Sequence, residues 1–161
     1  NFKSPLKIII APHNIGEKDL KEVEQLAPAK TIRYSLIANH SDENILIIDN
    51  MGMLSSVYKM ATICHIGGGF KTGLHNTLEA ATFGKPIIIG PHYKKFDEVK
   101  GLIHIEACYP VSSSGQFNSI FMELYNNKLK REEIASNLKN HIQQEIGATE
   151  KIISYCRQDL S

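Results

Sequence analysis

No run in this chain approaches the roughly 18 consecutive apolar residues that a membrane-spanning helix needs, and no secretory leader is visible at its start. Charge of one sign is also missing. Lys and Arg number 18 against 17 Asp and Glu, for a net charge of +1, so charge gives no case for a nucleic-acid footprint. Cysteine is scarce: Cys64, Cys108 and Cys156 are far apart and odd in number. That argues against a disulfide framework or a zinc site and fits a reducing cytoplasm. Each cysteine reads as a small hydrophobe in the core rather than a nucleophile. There is no internal repeat, low-complexity segment or interdomain linker. What is present is ordinary for one globular domain: 161 residues, 42% hydrophobic and 22% charged. The chain opens Asn1-Phe2-Lys3 without an initiator methionine, which reads as an excised piece of something longer.

Strand and helix patterns alternate along the sequence. Residues 6–12, 31–37, 44–49, 61–66 and 86–89 read as strands, and 103–111 carries one more. Residues 16–27, 52–60, 74–83 and 93–102 read as helices between them. Three closing helices are expected over 117–126, 130–146 and 149–160, with a start signal at Ser112-Ser113-Ser114-Gly115. Apolar strands alternating with helices imply an α/β fold: a doubly wound, Rossmann-like parallel sheet with helices on both faces. In such sheets ligands sit beyond the carboxyl ends of the strands. The polar and glycine-rich segments fall at those ends: Pro12-His13-Asn14, Asp49-Asn50-Met51-Gly52, 67–76 and Gly90-Pro91-His92. Four loops on one edge are expected to form one site.

The densest of these segments is Gly67-Gly68-Gly69-Phe70-Lys71-Thr72-Gly73-Leu74-His75-Asn76-Thr77-Leu78-Glu79. A strand, a glycine-rich turn and a helix opening with polar residues make an anion site, because glycines admit close backbone approach and the first helical N–H groups face the ligand. With the helix starting at Leu74, His75, Asn76 and Glu79 share one face. A carboxylate one turn from a phosphate site suits the two hydroxyls of a ribose. The residues thus point to a nucleotide or nucleotide-sugar site.

In order and spacing these blocks resemble the Kdo transferases, which move 3-deoxy-D-manno-octulosonic acid (Kdo) from CMP-Kdo to lipid A precursors. That family's Asp-Thr-x-Gly-Glu-Leu stands here as Asp49-Asn50-Met51-Gly52-Met53-Leu54, followed by Tyr58. Its Gly-Gly-Ser and Gly-Gly-His-Asn-Pro-Leu-Glu-Pro stand as Gly67-Gly68-Gly69 and Gly73-Leu74-His75-Asn76-Thr77-Leu78-Glu79-Ala80. Its Gly-Pro-His, with a Phe and a Glu beyond, stands as Gly90-Pro91-His92, Phe96 and Glu98, and an Arg-Ser pair has its echo in Arg33 and Ser35. Departures are Gly69 for serine, Leu74 for glycine, Thr77 and Ala80 for prolines, and a first loop without the usual His-Glu pair.

The resemblance covers nearly the whole chain and implies the C-terminal, donor-binding half of a GT-B glycosyltransferase. Residues 1–161 would be a single nucleotide-sugar-binding domain, with the N-terminal half absent. It implies phosphate contacts from Gly68, Gly69, Gly73 and the helix start, and ribose contacts from Glu79. Asn76 would bridge phosphate and loop. Pro12 and Met53 would give apolar faces for the cytosine, and Gly52 would let the ring approach. Lys71 or His13 would pair with the phosphate or the Kdo carboxylate. It implies metal-independent chemistry, a general base in the missing half, and no transfer by this chain alone. The full-length enzyme would work on a lipid A precursor at the cytoplasmic face of the inner membrane, while this fragment would be soluble.

Plainer readings stand beside these. Glu79 also suits a helix first turn, and His75 a packed helix start. His65 reads as a satisfied core histidine. Lys94-Lys95 and Lys128, Lys130 and Arg131 read as solvated surface. Met51 and Met53 suit a base shelf or the core, and His92 suits either a ligand or a loop. His40-Ser41-Asp42 lacks a nucleophile elbow, which excludes a hydrolase triad. Three other functions remain open: a GT-B enzyme or epimerase using a UDP-sugar, a dinucleotide-binding module, and a non-enzymatic α/β interaction domain. Against the dinucleotide module, Ala11-Pro12-His13 follows the first strand where a Gly-x-Gly-x-x-Gly turn would be needed.

Overall fold

The computed structural model describes residues 6–39, 42–70, 73–145, 147, 153, 155 and 156. The chain falls into two compact units, the first ending at Val57 and the second beginning at Tyr58. The helix expected over 149–160 lies largely outside the described residues.

The first unit holds β1 (Ile8–Ile10), α1 (Glu17–Leu26), β2 (Thr31–Arg33) and β3 (Ile45–Ile47), with α2 (Leu54–Met60) leading into the second unit. Its three strands pair in parallel in the order β1-β3-β2. The central strand buries Ile45 and Ile47, as the middle of a parallel sheet requires. The strand read over 31–37 stops at Arg33, and a 3-10 turn takes Tyr34–Asn39. The reason is polar: the Ser35 backbone N–H donates to Asp49 Oδ1 at 3.0 Å, and the Ser35 hydroxyl donates to Asp49 Oδ2. Those bonds pull the chain out of the ladder.

Arg33 closes the same unit. Its Nε and one terminal nitrogen donate to Glu24 at 2.7 and 3.1 Å, and its terminal nitrogens donate to Glu17 at 2.6 and 3.1 Å. One guanidinium therefore ties the two ends of α1 to the end of β2.

The second unit holds β4 (Cys64–Ile66), α3 (Leu78–Thr82), β5 (Ile87–Ile89), α4 (Asp97–His104), β6 (Cys108–Pro110), α5 (Ser114–Asn126) and α6 (Lys128–Glu145). Its parallel order is β4-β5-β6. The central strand is three consecutive isoleucines, Ile87, Ile88 and Ile89, each 0% exposed, which is the pattern of a strand covered on both faces. Val99 and Leu102 of α4, Leu124 of α5, and Ile134 and Leu138 of α6 pack into the same core. His65 departs from expectation. It is exposed on β4 between buried Cys64 and Ile66, with its ring edge-on to Phe117 at 5.4 Å. Its register partner Ile88, on the same face, is 0% exposed, and β4 pairs only with β5 among the described strands, so the edge position and not the face sets its exposure.

Helix ends follow local chemistry. The Ser113 hydroxyl accepts from the Gln116 N–H at 3.2 Å and starts α5, within the start signal at 112–115. The Asn127 side chain accepts from the Lys130 N–H at 2.9 Å at the start of α6. No helix of the described residues is long and apolar enough to cross a membrane.

Truncating Ile88 to Ala is expected to cost about 2–5 kcal/mol, read from urea denaturation. A second expectation concerns pH. Hydrogen bonds from Arg33 are the leading cause holding the Glu17 and Glu24 carboxyls below their ordinary 4.5. A carboxylate depressed by folding stabilises above its unfolded value and stops doing so as pH falls through its folded value. The stability gap between the parent and Arg33→Gln should therefore be full at neutral pH and shrink below about 4.5, measured by denaturation at a series of pH values.

Candidate functional site

In the second unit the parallel register aligns Ile66 with Ile89. The chain therefore leaves β4 at Gly67 and β5 at Gly90 on the same side of the sheet, one strand spacing apart. The two turns touch backbone to backbone. The Gly69 carbonyl accepts from the His92 N–H at 2.9 Å. A Cβ on Gly69 would lie 2.9 Å from the Gly90 nitrogen, and a Cβ on Gly90 would lie 2.5 Å from the Gly69 carbonyl carbon. Neither position admits a side chain.

The loop then folds back on itself. The Gly73 N–H donates to the Gly68 carbonyl at 3.1 Å, and the His75 N–H to the Gly67 carbonyl at 3.3 Å. Gly68 has φ +87°, and a Cβ there would sit 2.0 Å from the Gly73 oxygen. Gly73 has φ +108° with open space where a Cβ would be. The glycines thus serve the packing of backbone on backbone first. Of the donors expected for a phosphate, the Gly73 N–H is spent inside the loop. The Gly68 and Gly69 N–H groups have no partner among the described residues. Lys71 lies outside the described residues.

The expected helix at Leu74 begins at Leu78 instead. Residues 73–77 are held in the folded-back loop, with Leu74 and Thr77 buried, so His75 and Asn76 do not sit on a helical face with Glu79. Asn76 and Glu79 are joined all the same. Asn76 Oδ1 accepts from the Leu78 N–H at 3.0 Å, an Asx turn, and Asn76 Nδ2 donates to Glu79 Oε1 at 3.1 Å. Asn76 is exposed and Glu79 half-buried. The Thr77 hydroxyl, 2% exposed as a residue, is buried without a partner among the described residues. Tyr58 is buried, with its ring 6.5 Å from that of Phe83. Burial, then the charges of Cys64 and Glu79, push its hydroxyl up to about 12. Burial also pushes the thiols of Cys64 and Cys108 up, to about 11 and about 12, so neither is a thiolate at neutral pH.

In the first unit, Ile10 and Ile47 are in register, so 11–13 and 48–52 leave the first sheet on one side. Pro12 is half-buried and His13 exposed. Gly52, at φ +85° with nothing within 4 Å of its Cβ position, makes a left-handed turn before α2. Met53 is half-buried, whereas Met51 is 80% exposed and so is not core. Asp49 is fixed by Ser35. Desolvation raises its carboxyl, but the two Ser35 hydrogen bonds bring the net value below the ordinary aspartate range. The sequence singled out Arg33 and Ser35 without their partners; Glu17, Glu24 and Asp49 are what the structure adds. Among the described residues no group of three His, Cys, Asp or Glu side chains is placed to hold a metal ion.

No family model matches the chain. It is 40% identical over 72 residues to the 3-deoxy-D-manno-octulosonic acid transferase of Rickettsia felis, covering 44% of this chain and 16% of that protein. It is 29% identical over 140 residues to the transferase of the same description from Aquifex aeolicus, covering 84% and 39%. A bifunctional glycosyltransferase/methyltransferase of Fusobacterium nucleatum is 28% identical over 137 residues, covering 80% and 21%. The chain thus spans well under half the length of these curated relatives. Among solved structures, the C-terminal CMP-Kdo binding domain of WaaA from Acinetobacter baumannii matches with TM-score 0.75 at 24% identity, covering 86% of this chain and 74% of that one. The resemblance to the Kdo transferases read from the motifs is borne out, and the α/β fold is that of such a C-terminal domain.

Gly68→Ala is expected to destabilise by more than about 2 kcal/mol, because a left-handed backbone and a backbone collision add. Gly73→Ala, with the conformation alone against it, should cost about 1–2 kcal/mol. Denaturation of the two variants side by side checks the order.

Proposed function

We propose that this chain is the donor-binding half of a glycosyltransferase, one that transfers Kdo from CMP-Kdo to a lipid A precursor. The observation that carries the reading is the pair Asn76–Glu79. A half-buried carboxylate is held by a hydrogen bond beside a glycine loop whose Gly68 and Gly69 N–H groups have no partner among the described residues. On a fold shared with a domain described as binding CMP-Kdo, that combination suits a ribose next to a single phosphate.

In the second unit, the N–H groups of Gly68 and Gly69 serve the phosphate, which needs donors and no side-chain charge. Gly73 shapes their loop, Lys71 is the cation assigned to the phosphate or the sugar carboxylate, and Glu79 accepts from the ribose hydroxyls. In the first unit, Pro12, Gly52 and Met53 are the assigned contacts of the cytosine, and His13 is the alternative partner of the phosphate or the sugar carboxylate. Positive groups placed where CMP departs stabilise its developing charge, which is how departure proceeds without a metal. The residues 1–161 act as one nucleotide-sugar-binding domain. The general base and the acceptor surface belong to an N-terminal half, which also brings the full enzyme to the cytoplasmic face of the inner membrane.

Titration with CMP, UDP and NAD, followed by NMR shifts, tests the reading. CMP is expected to shift Gly52, Gly68, Gly69, Asn76 and Glu79. Glu79→Ala should weaken CMP by about tenfold or more, the worth of a hydrogen bond to a charged acceptor. Preference for UDP would replace the Kdo reading with a UDP-sugar enzyme of the same fold. No shift with any nucleotide in a folded sample would overturn the donor site. With CMP-Kdo and a lipid acceptor, this chain alone is expected to give no transfer.

A further inference from the structure

We infer that Asn76 is a positioning residue: it orients Glu79 for the ribose and does not itself hold the donor. The inference rests on the donor-site reading above. A carboxamide offers one acceptor and one NH₂ donor group. Here each end is engaged within the chain, Oδ1 by the Leu78 N–H at 3.0 Å and Nδ2, through one of its two hydrogens, by Glu79 Oε1 at 3.1 Å. The two partners also fix which end is which. A flipped amide would set NH₂ against N–H and oxygen against carboxylate, losing both bonds.

The consequence falls on Glu79. Its Oε1 is taken, while Oε2 has no partner among the described residues. Glu79 is a long side chain only half-buried, and an untethered one would lose rotamer freedom on binding. The Asn76 bond removes part of that loss beforehand. Asn76 is anchored in turn through the Asx turn at Leu78, and it directly follows His75, whose N–H is bonded to Gly67. The geometry of the glycine loop is thereby handed to the carboxylate.

Calorimetric titration of the chain with CMP and with 2′,3′-dideoxy-CMP, which lacks the ribose hydroxyls, separates this from other roles. Asn76→Asp keeps an acceptor for Leu78 N–H but faces Glu79 with a second carboxylate, and Asn76→Ala removes both bonds. Both variants are expected to weaken CMP about tenfold while changing dideoxy-CMP less than about twofold. Asn76→Asp should melt close to the parent, since its helix start is retained. Equal weakening of both ligands would assign Asn76 to the phosphate, through its second amide hydrogen, and overturn the inference. Parent-like CMP binding by Asn76→Asp would reduce Asn76 to a helix cap and also overturn it. In both cases the parent still binds CMP, so the donor site stands. A parent that binds CMP and dideoxy-CMP equally removes Glu79 from the ribose. A parent that binds neither overturns the donor site and this inference together.

Discussion

The in-register parallel pairing of β4 with β5 is the constraint on which the second unit's loops depend. Neighbouring strands in a sheet lie about 4.8 Å apart. With Ile66 opposite Ile89, the turns that follow must leave side by side at that spacing, and Gly69 and Gly90 meet with no room for a Cβ on either. Gly69 is bonded to His92, and the loop is held further by its own backbone bonds. It doubles back so that Gly67 and Gly68 accept from His75 and Gly73. Leu74 drops into the core, and the chain reaches α3 with Asn76 next to its first turn. A one-residue slip would reverse which residues of β4 face the core and would part the two glycines.

The same constraint explains what was legible in the sequence. Apolar runs and punctuation located six strands and the helices between them, because a core strand such as Ile87-Ile88-Ile89 has no other comfortable place. The glycine-rich segment was recognisable as a turn between a strand and a helix. The purpose of each glycine was not, because close approach of two loops far apart in sequence is a tertiary fact. The late start of α3 has the same origin. Nothing local to 74–77 forbids a helix, but the His75 N–H, like that of Gly73 before it, already goes back to the glycines. His65 is exposed because β4 pairs on one side only among the described strands, which an apolar neighbourhood in sequence does not reveal.

Polar partners were the other blind spot. Arg33 and Ser35 stood out as residue types, yet their roles are defined by Glu17, Glu24 and Asp49, up to 16 residues away. Arg33 holds two carboxylates with a guanidinium whose side chain is only 17% exposed, which a lysine could not do with the same fork of donors. Ser35 ends a strand that its apolar neighbour Ile37 would have extended. Such choices are settled by which hydrogen bonds can be completed once the chain is folded.

Asp49 and Glu79 are carboxylates held to different degrees by their neighbours. Asp49 sits at a strand end, where a ligand contact would be natural, but both its oxygens are taken by Ser35. Its charge is stabilised internally by one hydrogen bond to each oxygen. Glu79 has one oxygen tied to Asn76 and one without a described partner. A tie on one side fixes direction; the open side supplies affinity. A carboxylate with no tie loses more side-chain freedom on accepting a hydrogen bond. The half-satisfied state of Glu79 is therefore the feature by which this surface differs from a merely well-packed helix start.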